Sequence, residues 1–62
     1  MYNIAFFNGD IEHIIKAFKT EFIPRKNDIV ELQDKKYLVD DITIGYDDNF
    51  KIIGIDVMCK EI

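Results

Sequence analysis

Tyr37-Leu38-Val39-Asp40-Asp41-Ile42-Thr43-Ile44 is the stretch whose reading decides the fold. Read as a strand, it puts Tyr37 and Val39 on one face, and the next apolar pair, Ile42 and Ile44, falls out of phase with them. A strict two-residue period cannot bury all four. Asp40-Asp41 sits at the slip, so the sequence predicts a β-bulge there, which restores the phase and bends the strand as a small barrel requires.

Upstream, Gln33-Asp34-Lys35-Lys36 reads as a reversal. Before it, Ile29-Val30-Glu31-Leu32 forms a short strand with Val30 and Leu32 pointing one way. The entry Ile23-Pro24-Arg25-Lys26-Asn27-Asp28 is a turn, because Pro24 fixes its own φ and pushes Ile23 toward an extended conformation. Downstream, Gly45-Tyr46-Asp47-Asp48-Asn49 is a polar loop. The run Phe50 to Met58 follows, with Ile53, Ile55, Val57 and Cys59 on one face and Gly54 interrupting the other. From Ile23 to Met58 the chain therefore reads as a β-meander of short, β-branched runs separated by polar turns.

The N-terminal part is less uniform. Tyr2, Ile4 and Phe6 alternate with Asn3, Ala5 and Phe7, as in a strand covered on much of both sides. Asn8-Gly9 predicts a tight reversal. Residues 10–22 carry two readings. Ile11, Ile14, Ile15, Phe18 and Phe22 form one stripe of a helix with Asp10 as its cap and Glu12–Lys16 as an i,i+4 pair, whereas Phe18, Thr20 and Phe22 alternate as in a returning strand.

A chain of 62 residues is expected to form a single domain, 1–62, with a small core and little room for a buried active site. The expected fold is mainly β, an antiparallel barrel-like meander of the Src-homology-three type, with α+β as the alternative if residues 10–22 are helical. Cys59 is the only cysteine, which excludes an internal disulfide and a thiolate zinc cluster. No run has the roughly 20 apolar residues that span a bilayer, and no signal peptide is evident, so the expectation is a soluble cytoplasmic protein.

The net charge is −4, and all of it falls in residues 37–62, where Lys51 and Lys60 face Asp40, Asp41, Asp47, Asp48, Asp56 and Glu61. That placement disfavours the phosphate backbone of nucleic acid as a direct partner and suits a basic protein surface.

Phe18-Lys19-Thr20-Glu21-Phe22-Ile23-Pro24-Arg25, Asn27-Asp28-Ile29-Val30 and Tyr37-Leu38-Val39 together resemble a class of very small bacteriophage and mobile-element proteins of β-barrel character. The likeness covers roughly residues 2–58. It implies that residues 16–23 are a strand and that a bacterial host cell is the setting. It brings no catalytic residue. Asn27 stands where that pattern usually has glycine, and Lys35-Lys36 where it usually has a glycine turn.

Catalytic equipment is sparse. There is no serine, Thr20 and Thr43 have no evident base, Cys59 falls on an apolar face, and His13 is the only histidine. Asp40, Asp41, Asp47, Asp48 and Asn49 do not have the alternate-acid spacing of a calcium loop, and Gly9, Gly45 and Gly54 are too far apart for a phosphate loop. The chain is thus expected to be no enzyme, with no cofactor and no metal. Tyr2, Phe6, Phe18, Phe22, Tyr37 and Phe50 are expected in the core, and Tyr46 as an exposed anchor.

The leading expectation is a small acidic protein-binding module that occludes a basic site on a larger protein through Asp40, Asp41, Tyr46, Asp47 and Asp48. With the phage-like resemblance, the target becomes a host enzyme or defence protein. The alternatives are a structural protein that forms a homodimer or larger assembly through strand edges, and a nucleic-acid mimic.

Overall fold

The computed structural model describes residues 1–9 and 14–62. Five strands follow in order: β1 (Tyr2–Asn8), β2 (Ile14–Thr20), β3 (Ile29–Leu32), β4 (Lys35–Tyr46) and β5 (Ile52–Glu61). They form one sheet in the order β2-β1-β5-β4-β3, curled into an open half-barrel. No helix occurs among the described residues, and so none is long and apolar enough to cross a membrane.

β3, β4 and β5 are the expected meander, each antiparallel to the next. The predicted bulge is also present. Val39 pairs with Cys59 and Asp41 with Met58, so Asp40 is the extra residue, and beyond it Ile42 and Ile44 face Val57 and Ile55.

For Ile14–Thr20 the strand reading holds, with β2 antiparallel to β1, but the strand ends at Thr20, so Glu21, Phe22 and Ile23 of the implied 16–23 strand lie outside it. Asp10, Ile11, Glu12 and His13, and with them the expected helix cap and the Glu12–Lys16 pair, lie outside the described residues.

The reversal after β1 has Gly9 at φ +84 with Asn8 in ordinary backbone, so Asn8-Gly9 does not form the two-residue primed turn that needs both residues left-handed.

One feature departs from an all-antiparallel meander: β1 runs parallel to β5, with Ile4 opposite Ile55 and Phe6 opposite Val57. The β1–β2 hairpin occupies only one side of β1. Its other side closes on the last strand, and the stretch from Glu21 to Asp28 carries the chain across to the far edge.

The core lies in the hollow of the curl, where Ile4, Phe6, Tyr37, Val39, Ile55, Val57 and Cys59 are buried together. Ile15, Ile23, Val30, Leu32, Ile42, Ile44 and Ile52 pack against them. Burying each of the larger side chains contributes about 1.5–3 kcal/mol, which offsets the ordering of so short a chain. Phe7 is buried as well, on the other phase of β1, in keeping with a strand covered on both sides.

The aromatic assignment needs correction. Phe6 and Tyr37 are core and Tyr2 is half-buried, but Phe18, Phe22 and Phe50 are exposed. Phe18 keeps one face covered by stacking on Phe6, with ring centres 5.9 Å apart and planes at 17°. Ile53 is also misplaced by strict alternation. A second register shift makes it the unpaired residue of β5, so Ile52 faces Tyr46 and packs on the core while Ile53 stays exposed.

Candidate functional site

The turn between β4 and β5 is built around one carboxylate. Asp47 Oδ1 accepts the Asn49 N–H at 2.8 Å and the Lys51 N–H at 3.0 Å. On the backbone, Phe50 N–H donates to Asp47 O at 3.0 Å and Asp47 N–H donates to Lys51 O at 2.9 Å. A β-turn is thereby closed from Asp47 to Phe50, and the residue that completes the three-residue loop must be left-handed.

That residue is Phe50, at φ +63. Glycine takes this conformation freely, whereas a side chain there costs roughly 1–2 kcal/mol. The ring recovers nothing from the core, being 85% exposed. Tyr46, at the other end of the turn, is 54% exposed, and Ile53, exposed on the opposite strand, lies over Gly45 with its Cγ1 3.5 Å from where a Cβ would sit.

This end of the molecule projects. Among the described residues, β1 pairs with β5 only from Ile55 to Cys59 and β3 with β4 only from Lys35 to Leu38, so no described strand neighbours the end of the β4–β5 hairpin. The result is an arm tipped by Tyr46, Asp48 and Phe50, and the molecule measures 37 × 21 × 18 Å.

The five residues expected to share one face divide into two groups. Tyr46, Asp47 and Asp48 come together at the arm's tip, with Asp48 exposed and Asp47 half-buried and committed to the turn. Asp40 and Asp41 sit at the bulge, about 17 Å down the strand from Tyr46 at the usual rise per residue. There Asp41 Oδ1 accepts the Ile42 N–H at 3.0 Å, and Asp40 meets Lys60 Nζ at 3.7 Å. Both acids are tied to the geometry of the bulge.

Phe50 is the residue sequence reasoning missed. Its signal was available: it stands where a three-residue hairpin loop wants glycine, but the alternation of the following run drew it into the strand.

Two further features bear on chemistry. Cys59 is buried, and loss of hydration raises its thiol above the ordinary range, against the smaller lowering effect of a hydrogen bond from the Phe7 backbone. A thiol so placed is a packing group. A shallow hollow of about 380 Å³ lies over β2, β1 and β5, floored by Ala5, Ala17 and Gly54 and bordered by Asn3, Lys19 and Asp56. A Cβ on Gly54 would meet nothing within 4 Å, so this glycine opens the hollow and does not admit a close backbone.

The chain matches no family model, no curated protein and no solved structure.

Proposed function

We propose that the protein is a non-enzymatic binding module that inserts the tip of its β4–β5 arm into a groove on a larger protein. Phe50 is the observation that carries this reading: a large apolar ring, almost fully exposed, held where the backbone favours glycine. Strain of this kind persists where the side chain has a use that stability does not supply. Tyr46 adds an amphipathic ring, and aromatic anchors of this sort dominate binding energy at protein interfaces. Asp48 beside them, on a chain of net charge −4, fits a groove with a basic rim.

Binding by occlusion asks for no nucleophile, metal or cofactor, only a rigid shape. The phage-like pattern of Phe18 to Arg25 and Tyr37 to Val39 supports a host enzyme or defence component as the protein occluded.

Affinity purification from a bacterial lysate, read by mass spectrometry, tests the reading. Phe50→Gly is expected to lose the captured protein while making the fold more stable by about 1 kcal/mol, since it removes the left-handed penalty and returns part of it as chain entropy. Asp48→Lys is expected to weaken capture and reduce its salt dependence. Capture of the same protein at the same yield by Phe50→Gly would exclude the tip as the binding surface.

A further inference from the structure

Among the described residues, the curled sheet leaves two strands unpaired on their outer sides, and these two edges differ in charge. β2 holds Lys16 and Lys19, with Glu21 just after it. β3 holds Glu31, with Asp28 just before it and Asp34 just after.

The backbone groups on both edges are set out in step. Gly9 N–H donates to Cys59 O at 3.1 Å, so odd-numbered amides of β1 face β5 and even-numbered ones face β2. Their opposite numbers Phe18 and Lys16 are therefore turned inward to β1, which leaves the groups of Ala17 and Lys19 free along the edge. On β3, Val39 N–H donates to Asp28 O at 2.8 Å, so Asp28, Val30 and Leu32 face β4 and the groups of Ile29 and Glu31 are free.

We infer that these edges are a self-association surface, on which β2 of one copy adds antiparallel to β3 of the next with Lys19 opposite Glu31. This surface is separate from the arm of the proposed function. In that register Phe18 faces Leu32 and Thr20 faces Val30 on the inner side of the sheet, and Lys16 falls beside Asp34. The faces agree: Lys19 and Glu31, opposite Asn3 and Lys36, are both outer, while Phe18 and Leu32 are both inner.

Like edges are disfavoured. Two β2 edges fit poorly in the registers that set Lys16 or Lys19 against its own copy, since like charges facing across strands oppose pairing. The lysines that guard β2 against its own kind thus select an acidic edge. Joining unlike edges gives a head-to-tail contact, which propagates into rings or chains of copies and leaves the arms free.

Sedimentation velocity over a range of protein concentration tests this. The native protein is expected to rise above the mass of one chain as concentration increases, and to fall back in about 1 M salt, where screening acts within about 3 Å. Lys16→Glu with Lys19→Glu, and separately Glu31→Lys, should each remain single chains, both being exposed changes whose folding circular dichroism verifies. An equimolar mixture of the two variants should recover association, since the reversed β2 of one meets the reversed β3 of the other.

A native protein that stays a single chain at every concentration overturns the inference, including the case in which β2 and β3 pair within one chain. So does association that both reversals leave intact, or a mixture that fails to recover it. None of these outcomes touches capture by the arm.

Discussion

Gln33 and Asp34 form the entire connection between β3 and β4, and both are left-handed, at φ +55 and +67. A two-residue hairpin loop with both residues on that side is the primed turn that Asn-Gly fills best. Replacing Gln33→Asn together with Asp34→Gly is expected to stabilise the protein by about 1 kcal/mol, raising Tm by about 4–8 °C in a thermal melt. An unchanged Tm would show that the pair is not strained. The same turn explains why Lys35-Lys36 needs no glycine: the reversal lies before it. Asn27, at φ +75, takes a glycine position of the phage-like pattern, and asparagine is among the residues that tolerate it best.

Cys59 gives a second test at this scale. Its folded thiol titrates above the unfolded one, so the native state holds its proton more tightly. The stabilisation is complete below the unfolded thiol's pKa and is lost as pH rises through the folded value. Urea midpoints of the native protein and of Cys59→Ala, compared from neutral into alkaline solution, should therefore converge as pH rises. Parallel curves would show a thiol that ionises alike in both states.

β4 shows what one inserted residue does to a whole element. Asp40 is unpaired, and the alternation of Tyr37 and Val39 resumes in Ile42 and Ile44 only because it is skipped. Deleting Asp40 should keep every cross-strand partner and leave a folded, straighter hairpin, whereas deleting Thr43 sets Ile42 and Ile44 on opposite faces and should cost about 2 kcal/mol or more in lost burial. Urea unfolding of the two deletions distinguishes them, and equal losses would mean that register is set by the turns and not by the apolar pattern. The bulge was legible because its phase slip lies in four apolar residues.

The bulge in β2 was not, for the same physical reason read in reverse. Ile15 is its extra residue, so Ile14, Ile15 and Phe18 fall at spacings that also satisfy a helical stripe. The shift that exposes Ile53 is hidden in an apolar run in which either neighbour could face inward. Pairing of β1 with β5 depends on contacts across the length of the chain, which local pattern does not encode.

At the scale of the molecule, exposed rings and the thin end of the sheet coincide in the arm, while most of the negative charge lies outside it, in Asp40, Asp41, Asp56 and Glu61. Ile55 to Cys59 has β1 on one side and β4 on the other, while Ile52 to Gly54 has β4 alone. Asp47 braces the tip, but no described strand flanks it. Local opening of the arm therefore breaks fewer bonds and uncovers less apolar surface than opening of the three central strands, and it is expected at a lower free energy than global unfolding.

Amide hydrogen exchange should show this as two tiers. Amides from Ile55 to Cys59 exchange only with global unfolding, and those of Thr43 to Tyr46 and Ile52 to Gly54 exchange faster and with a weaker dependence on urea. Phe50→Gly removes strain from a turn that is released in both openings, so it should slow both tiers by about the same factor. If there were only one tier, the arm would be part of a single cooperative unit. The energy stored at Phe50 would then weigh on the whole fold and not on the element that presents the ring.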